Sequence, residues 1–188
     1  MPLPAHRVLF DEAALARRVA ELAEEVRTRS PVPEVLMVGL LDGSFIFLAD
    51  LARALSRAGL EPRVELARTS SYGTSTTSGR DISVLHDPTG NLEGRAVLLV
   101  DDILDTGRTL KTMRDRLATR APSWLATCVL LDKPARREVD IAPDFVGFAV
   151  PDAWIIGYGL DLAGAGRALP YVAQVTGRSH GPGAPPAR

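Results

Sequence analysis

The feature that most constrains the fold is a run of five consecutive apolar residues, "AVLLV", at positions 96–100. A strand that is apolar on both faces is typical of a parallel sheet covered by helices on each side. Two adjacent aspartates, Asp101 and Asp102, follow the run directly, and Asp105 comes soon after them. Because carboxylates at the end of a buried strand are costly unless they are partnered, this strand end is a candidate ligand site.

The apolar periodicity of the remaining chain predicts strands and helices in alternation. The order predicts an α/β fold with a central, mostly parallel sheet flanked by helices. The residues after Leu131 are expected to form a small subdomain against that sheet. Helices are predicted at 12–29, with Asp11 as N-cap, at 44–59 and at 108–119, and strands at 34–40, 63–72, 81–87, 96–100, 124–132, 144–150 and 154–160.

Length and composition limit the domain organisation and the partners. The 188 residues are expected to form a single domain over 1–176, and 177–188 have the composition of a disordered tail. The formal net charge of −1 provides no basic field for nucleic acid or anionic lipid. No apolar run approaches the ~20 residues that span a bilayer, no signal-peptide pattern is present, and Cys128 is the single cysteine. We therefore expect a cytoplasmic protein with neither a nucleic-acid nor a membrane partner.

The residues around the aspartates point to a phosphorylated sugar as the ligand. Ligands of open α/β sheets bind at the carboxyl ends of the strands. Gly107 allows the backbone to approach a ligand closely, while Thr106, Thr109 and the start of the predicted helix supply donors for a phosphate. The aspartates are acceptors for sugar hydroxyls, and alternation along the strand predicts that Asp101 and Asp102 point to opposite sides. The full pattern favours a ribose 5-phosphate site over a strand end capped by solvated aspartates.

The segment "VLLVDDILDTGRTL" resembles the phosphoribosyl-pyrophosphate signature of type I phosphoribosyltransferases. Five further segments resemble, in order, those of hypoxanthine-guanine phosphoribosyltransferases: "LLDGSFIFLADL", "SSYG", "LLDKPARR", "DFVGFAVPDAWIIGYGLD" and "GRALPYV". The resemblance spans roughly Val8 to Val175. It implies a type I phosphoribosyltransferase-like fold with a small hood subdomain. The implied reaction is Mg²⁺-dependent transfer of the phosphoribosyl group from phosphoribosyl pyrophosphate to N9 of a 6-oxopurine, hypoxanthine and also guanine, giving IMP or GMP and pyrophosphate in purine salvage.

The resemblance assigns the phosphoribosyl-pyrophosphate half of the site. Asp101 and Asp102 are expected to engage the ribose hydroxyls directly or through Mg²⁺. Asp105 is expected to be the catalytic base or acceptor near purine N7. The remaining residues expected to bind phosphoribosyl pyrophosphate are Thr106, Gly107, Arg108 and Thr109 around the 5-phosphate, and Leu41, Asp42, Gly43 and Arg167 around the pyrophosphate, with a cis peptide after Leu41.

The resemblance also assigns the purine half of the site. Lys133 is expected to donate to the purine O6, and Trp154 to stack on the purine face. Ile155 is expected to contribute backbone groups to the base edge. Asp161 is expected near the purine C2 side and at a second Mg²⁺, which makes Asp101, Asp102 and Asp161 the predicted metal ligands. Ser71 and Tyr72 belong to a predicted mobile lid at 70–80.

Three positions depart from the family pattern. Asp42 stands where many relatives carry a basic residue, so its side chain is expected to point away while the backbone binds pyrophosphate. Leu162 and Gly166 replace aromatic residues that are common near Arg167. The preference among hypoxanthine, guanine and xanthine therefore stays open. Relatives imply a homodimer or homotetramer, between which the sequence does not decide.

Three other functions were weighed against this one. A nucleotide sensor that binds nucleic acid would need a basic surface, for which Arg136 and Arg137 are the candidates and are too few. A phosphotransferase with an aspartyl nucleophile would need Asp-x-Asp-x-Thr, and Asp105 lies too far from the aspartate pair. A phosphoribosyltransferase for orotate or adenine is disfavoured because Lys133 and Trp154 point to a 6-oxopurine.

Overall fold

The computed structural model describes residues 3–72, 81–88 and 90–176, and two sheets of different size organise them. The helices are α1 (Glu12–Arg29), α2 (Phe45–Arg57) and α3 (Arg108–Ala118), with a short 3-10 helix at Pro134–Arg136. The strands are β1 (His6–Phe10), β2 (Glu34–Leu41), β3 (Glu61–Tyr72), β4 (Asp81–His86), β5 (Ala96–Leu104), β6 (Trp124–Asp132), β7 (Phe145–Ala149), β8 (Ile155–Ile156) and β9 (Val172–Val175).

The larger sheet has the strand order β4-β3-β2-β5-β6-β7. All neighbouring strands in it are parallel except β3 and β4, which form an antiparallel pair at the edge. The apolar residues 96–100 lie on β5 in the middle of the sheet and are buried. The predicted α/β fold with a mostly parallel sheet is confirmed.

Helices cover both faces of this sheet. Leu15, Val19 and Leu22 of α1 pack with α2 on one face, and α3 packs on the other through Leu110 and two further apolar residues. Helix α1 begins where its sequence predicts, because Asp11 Oδ1 accepts a hydrogen bond from the Ala14 amide at 2.8 Å. No described helix is long and apolar enough to cross a membrane.

The smaller sheet has the order β1-β9-β8 and is antiparallel throughout; we call it the hood. Strand β1 was not predicted, because His6–Phe10 is half exposed and forms only by pairing with β9 at the far end of the chain. The predicted strand at 154–160 shortens to Ile155–Ile156, and the backbone then turns through residues with positive φ. The residues after Leu131 are divided, since β7 extends the large sheet while β8 and β9 build the hood.

Two predicted segments fall partly or wholly outside this description. Strand β3 ends at Tyr72, so the predicted lid continues into residues 73–80, which lie outside the described residues. The predicted tail at 177–188 also lies outside them.

Candidate active site

A cavity of about 300 Å³ opens at the carboxyl ends of β2 and β5. The topology explains its position, because adjacent parallel strands deliver their following loops to the same edge of the sheet. The structure brings together here most of the residues predicted to bind phosphoribosyl pyrophosphate: Leu41, Asp42, Gly43, Asp101, Asp102, Asp105, Thr106, Gly107 and Thr109.

Asp101 and Asp102 lie at the floor of the cavity. Alternation along the strand predicts that they point to opposite sides, and both residues line the same cavity. Asp101 is only 8% exposed, and its Oδ1 accepts the Asp102 amide at 3.0 Å. Burial, with the charge of Asp102 beside it, raises the pKa of Asp101 well above its usual value. Burial also raises the pKa of Asp102, so the pair resists full ionisation on its own.

The predicted 5-phosphate loop turns directly from β5 into α3. Gly107 is the N-cap of α3 with φ of +86°, and Thr106 Oγ1 accepts the Arg108 amide at 3.4 Å. The Arg108 side chain turns away from the cavity, which it does not line, and its Nε donates to Glu138 at 2.7 Å. The helix N-terminus and the threonines are therefore the donors available to a phosphate.

The predicted pyrophosphate loop, residues 41–44, joins β2 to α2. The Leu41–Asp42 peptide is cis, as the resemblance implies. Gly43 has no room for a side chain, because a Cβ there would overlap Oδ2 of Asp102. The Asp42 carboxylate forms an ion pair with Arg68 at 3.0 Å, a contact that the sequence analysis did not anticipate.

Asp105 lines the cavity, and Lys133, which does not line it, lies near Asp105. Lys133 is 7% exposed, and its Nζ donates to the Ala153 carbonyl at 2.8 Å. Burial lowers the pKa of Lys133, and the charges of Asp105 and Asp152 oppose that shift. Asp105 Oδ1 accepts a hydrogen bond from Arg136 Nε at 3.0 Å. Arg136 therefore belongs to this site, a role that the sequence analysis did not give it.

The loop between β8 and β9 closes the other side. Arg167 Nη1 donates to the Gly159 carbonyl at 2.6 Å, and Arg167 also forms an ion pair with Asp161. Gly159 has φ of +108°, and a Cβ there would overlap the Gly43 carbonyl, so the hood loop lies directly on the pyrophosphate loop. This contact requires glycine at 159.

Asp161, which was predicted at a second Mg²⁺, forms contacts within the hood loop. Its two oxygens are occupied by Arg167 and by the Gly164 amide at 2.7 Å. Across the described ranges, no three or more His, Cys, Asp or Glu residues form a group that could hold a metal ion. A metal at this site would rely on substrate oxygens beside the aspartate pair.

The hood positions the remaining predicted purine residues. Trp154 is 36% exposed, whereas the Ile155 side chain is buried in the core, which leaves the Ile155 backbone for a ligand. Of the departures from the family pattern, Leu162 is buried with Ile156 in the hood. Gly166 also packs against Ile156, where a Cβ would lie 3.1 Å from the nearest atom, so a large aromatic side chain is not accommodated there.

One further link was missed by sequence reasoning. The Tyr158 hydroxyl donates to the Asp50 carboxylate, which ties the hood loop to α2 just beyond the pyrophosphate loop. Burial and this carboxylate raise the pKa of Tyr158, so the phenol stays a donor. Both residues lie within the segments that carry the family resemblance, but no local pattern pairs them.

Comparison with known proteins agrees with this geometry. Residues 8–162 match the family model of the phosphoribosyl transferase domain. The chain is 44% identical to the hypoxanthine phosphoribosyltransferase of Salmonella typhimurium over 170 residues, which cover 89% of this chain and 94% of the relative. It is 48% identical to the hypoxanthine-guanine phosphoribosyltransferase of Aquifex aeolicus over 170 residues, covering 90% and 94%. The solved hypoxanthine phosphoribosyltransferase of Trypanosoma cruzi with the product IMP superposes with a TM-score of 0.85 at 36% identity, covering 93% of this chain and 96% of that one.

Proposed function

This chain belongs to the phosphoribosyltransferase family, among the hypoxanthine phosphoribosyltransferases, and from that premise we propose how its residues perform the reaction. The enzyme transfers the 5-phosphoribosyl group from phosphoribosyl pyrophosphate to hypoxanthine, giving IMP in purine salvage. The observation that carries our assignment of residues is the single cavity in which the aspartate pair lies between the 5-phosphate loop and the pyrophosphate loop.

Phosphoribosyl pyrophosphate would lie across the carboxyl ends of β2 and β5. Thr106, Gly107 and Thr109 would hold the 5-phosphate through hydroxyls and the amides at the start of α3. Residues 41–43 would hold the pyrophosphate. The positive charge of Arg167 lies close enough to Asp102 to oppose part of the pKa rise that burial causes there. The ribose hydroxyls would then face the aspartate pair.

The aspartate pair fits a bound Mg²⁺. Two adjacent carboxylates provide the hard oxygen ligands that Mg²⁺ prefers, and burial raises the pKa of both of them. No ion pair links either one to a lysine or arginine anywhere in the described ranges. When bound, Mg²⁺ would neutralise the pyrophosphate leaving group. We propose Asp101 and Asp102 as its ligands, with Asp161 acting on Arg167.

The purine would bind between Trp154 and the Lys133–Asp105 side of the cavity. Lys133 Nζ would donate to O6, and the ring of Trp154 would stack on the base. As N9 attacks C1 of the ribose, the bond from C1 to the pyrophosphate oxygen breaks, and the proton on N7 passes to the Asp105 carboxylate. Closing residues 70–80, including Ser71 and Tyr72, over the substrates would exclude water from the reacting ribosyl cation.

We propose that the enzyme accepts guanine as well as hypoxanthine. Both hypoxanthine and guanine carry the O6 that Lys133 would recognise, and stacking on Trp154 does not distinguish them. A panel of nucleobases with phosphoribosyl pyrophosphate and Mg²⁺, followed by nucleotide formation, tests the specificity. We expect IMP and GMP to form, and no product from adenine or orotate. Nucleotide formation from adenine at a comparable rate would refute the role of Lys133.

The organisation of the enzyme is also a proposal. We propose a single domain over residues 1–176 that assembles into a homodimer or homotetramer in the cytoplasm. Sedimentation equilibrium of the full chain would give the stoichiometry, and a monomer at micromolar concentration would contradict the assembly.

A further inference from the structure

The pyrophosphate loop contains a negative charge that needs an explanation. Asp42 lines the cavity at the position where the proposed function puts pyrophosphate. A carboxylate beside a multiply charged anion repels it. The Asp42 side chain is 54% exposed.

Arg68 lies where it can cancel this charge. Strands β2 and β3 are parallel, and their register pairs Leu41 with Arg68, which puts the guanidinium beside the loop that begins at Asp42. Arg68 Nη2 is 3.0 Å from Asp42 Oδ2. It is the cation that pairs with Asp42 among the described side chains.

We propose that Arg68 is a positioning residue for pyrophosphate binding, acting through Asp42. The ion pair holds the Asp42 carboxylate and gives the two side chains a net charge of zero, so that the backbone of the pyrophosphate loop can bind the anion. This inference rests on the proposed function, because it assumes that pyrophosphate occupies this end of the cavity.

The proposal predicts that affinity follows the net charge of the pair. The pair carries no net charge in the wild type, −1 in Arg68→Gln and +1 in Asp42→Asn, and returns to zero in the double variant. Because both side chains are more than half exposed, salt screens their effect on the substrate.

The test measures KM for phosphoribosyl pyrophosphate, KM for hypoxanthine and kcat for the four proteins at low and high ionic strength. We expect Arg68→Gln to raise KM for phosphoribosyl pyrophosphate ~10-fold and Asp42→Asn to lower it several-fold. The double variant is expected to return to within ~2-fold of the wild type. These differences should shrink at high salt, and KM for hypoxanthine should stay constant.

Arg63→Gln provides the matched control. Arg63 lies on the same strand, is 65% exposed and pairs with Glu34 at 3.8 Å, away from the cavity, so the same loss of charge there should leave all constants unchanged. A double variant as impaired as Arg68→Gln would overturn the proposal, because Arg68 would then act on pyrophosphate without Asp42. An Arg68→Gln enzyme equal to the wild type would overturn it too. Wild-type protein without transferase activity would instead refute the proposed function.

Discussion

Replacing Asp101 with asparagine is expected to stabilise the metal-free protein while removing its activity. Asp101 is buried next to a second carboxylate, and its pKa is raised by burial first and by the charge of Asp102 second. Asparagine has the same shape and keeps an oxygen to accept the Asp102 amide, which lies 3.0 Å from Asp101 Oδ1. The substitution therefore removes a charge without removing a hydrogen bond.

The magnitude follows from the environment of the carboxylate. A buried ion without a partner costs several kcal/mol after relaxation, and the amide donated by Asp102 offsets part of that cost. We expect a gain of about 1–3 kcal/mol in the free energy of unfolding for Asp101→Asn. For a chain of this size each kcal/mol shifts Tm by about 2–4 °C, so the variant should melt roughly 2–12 °C higher.

The gain should depend on pH in a defined direction. The pKa of Asp101 is higher in the folded state than in the unfolded chain, so the folded protein binds the extra proton. The contribution of Asp101 to the free energy of unfolding of the wild type is fully present below its pKa in the unfolded chain, about 4. That contribution is lost as the pH rises through the higher pKa of Asp101 in the folded protein. The advantage of Asp101→Asn should thus be absent below pH ~4 and complete at alkaline pH.

Thermal unfolding in EDTA, followed by circular dichroism between pH 4 and pH 8.5, provides the assay. Adding Mg²⁺ with phosphoribosyl pyrophosphate should raise Tm of the wild type and leave Asp101→Asn unchanged. Asp115→Asn is the control, because that carboxylate is exposed and pairs with Lys111 at 2.8 Å, where loss of the pair costs at most ~1 kcal/mol. An Asp101→Asn protein that melts at or below the wild-type temperature at pH 8 in EDTA would refute the reasoning.

Four further predictions address single side chains. Asp105→Asn should lower kcat ~100-fold or more with binding of phosphoribosyl pyrophosphate nearly intact; unchanged turnover would contradict its role as base. Lys133→Ala should weaken the binding of hypoxanthine more than the binding of pyrophosphate. If calorimetry shows the same loss of affinity for both ligands, the proposed contact of Lys133 with O6 is wrong. Gly159→Ala should raise KM for phosphoribosyl pyrophosphate ~10-fold or more, since a Cβ overlaps the Gly43 carbonyl; a wild-type KM would show that the contact is unimportant. Burial raises the pKa of the Cys128 thiol, so a disulfide reagent should modify it only after unfolding, and rapid labelling of the native enzyme would contradict its placement.

Much of the fold was predictable because the signals are local. The apolar run at 96–100, the helical spacing after Asp11 and the turn into α3 each depend on residues close together in the chain. That most of the residues proposed to bind phosphoribosyl pyrophosphate would lie together was predictable for the same reason, since one strand end and one helix start supply most of that cavity. The purine half depended on the resemblance, because the hood delivers Trp154 and Asp161 from a different part of the fold.

The features that were missed are all long-range. Strand β1 exists through its pairing with β9, and neither strand has enough apolar alternation to reveal the pair. The contact between Arg136 and Asp105 crosses from the 3-10 helix to the end of β5. Arg136 was weighed in the sequence only as a possible nucleic-acid surface, because side-chain partners across a sheet edge have no signature in local spacing.

The ion pairs of the site explain where its unbalanced charge lies. Three carboxylates around the aspartate pair each form an ion pair with an arginine: Asp42 with Arg68, Asp105 with Arg136 and Asp161 with Arg167. Within the ranges that the structure describes, neither Asp101 nor Asp102 forms an ion pair with an arginine, although burial raises the pKa of both. In the proposed function, an arginine at the floor would fill the space assigned to the ribose, whereas a small divalent ion that shares oxygens with the substrate would not. The proposed arrangement would therefore keep the central negative charge available for substrate and metal, while the ion pairs balance the charge at the rim.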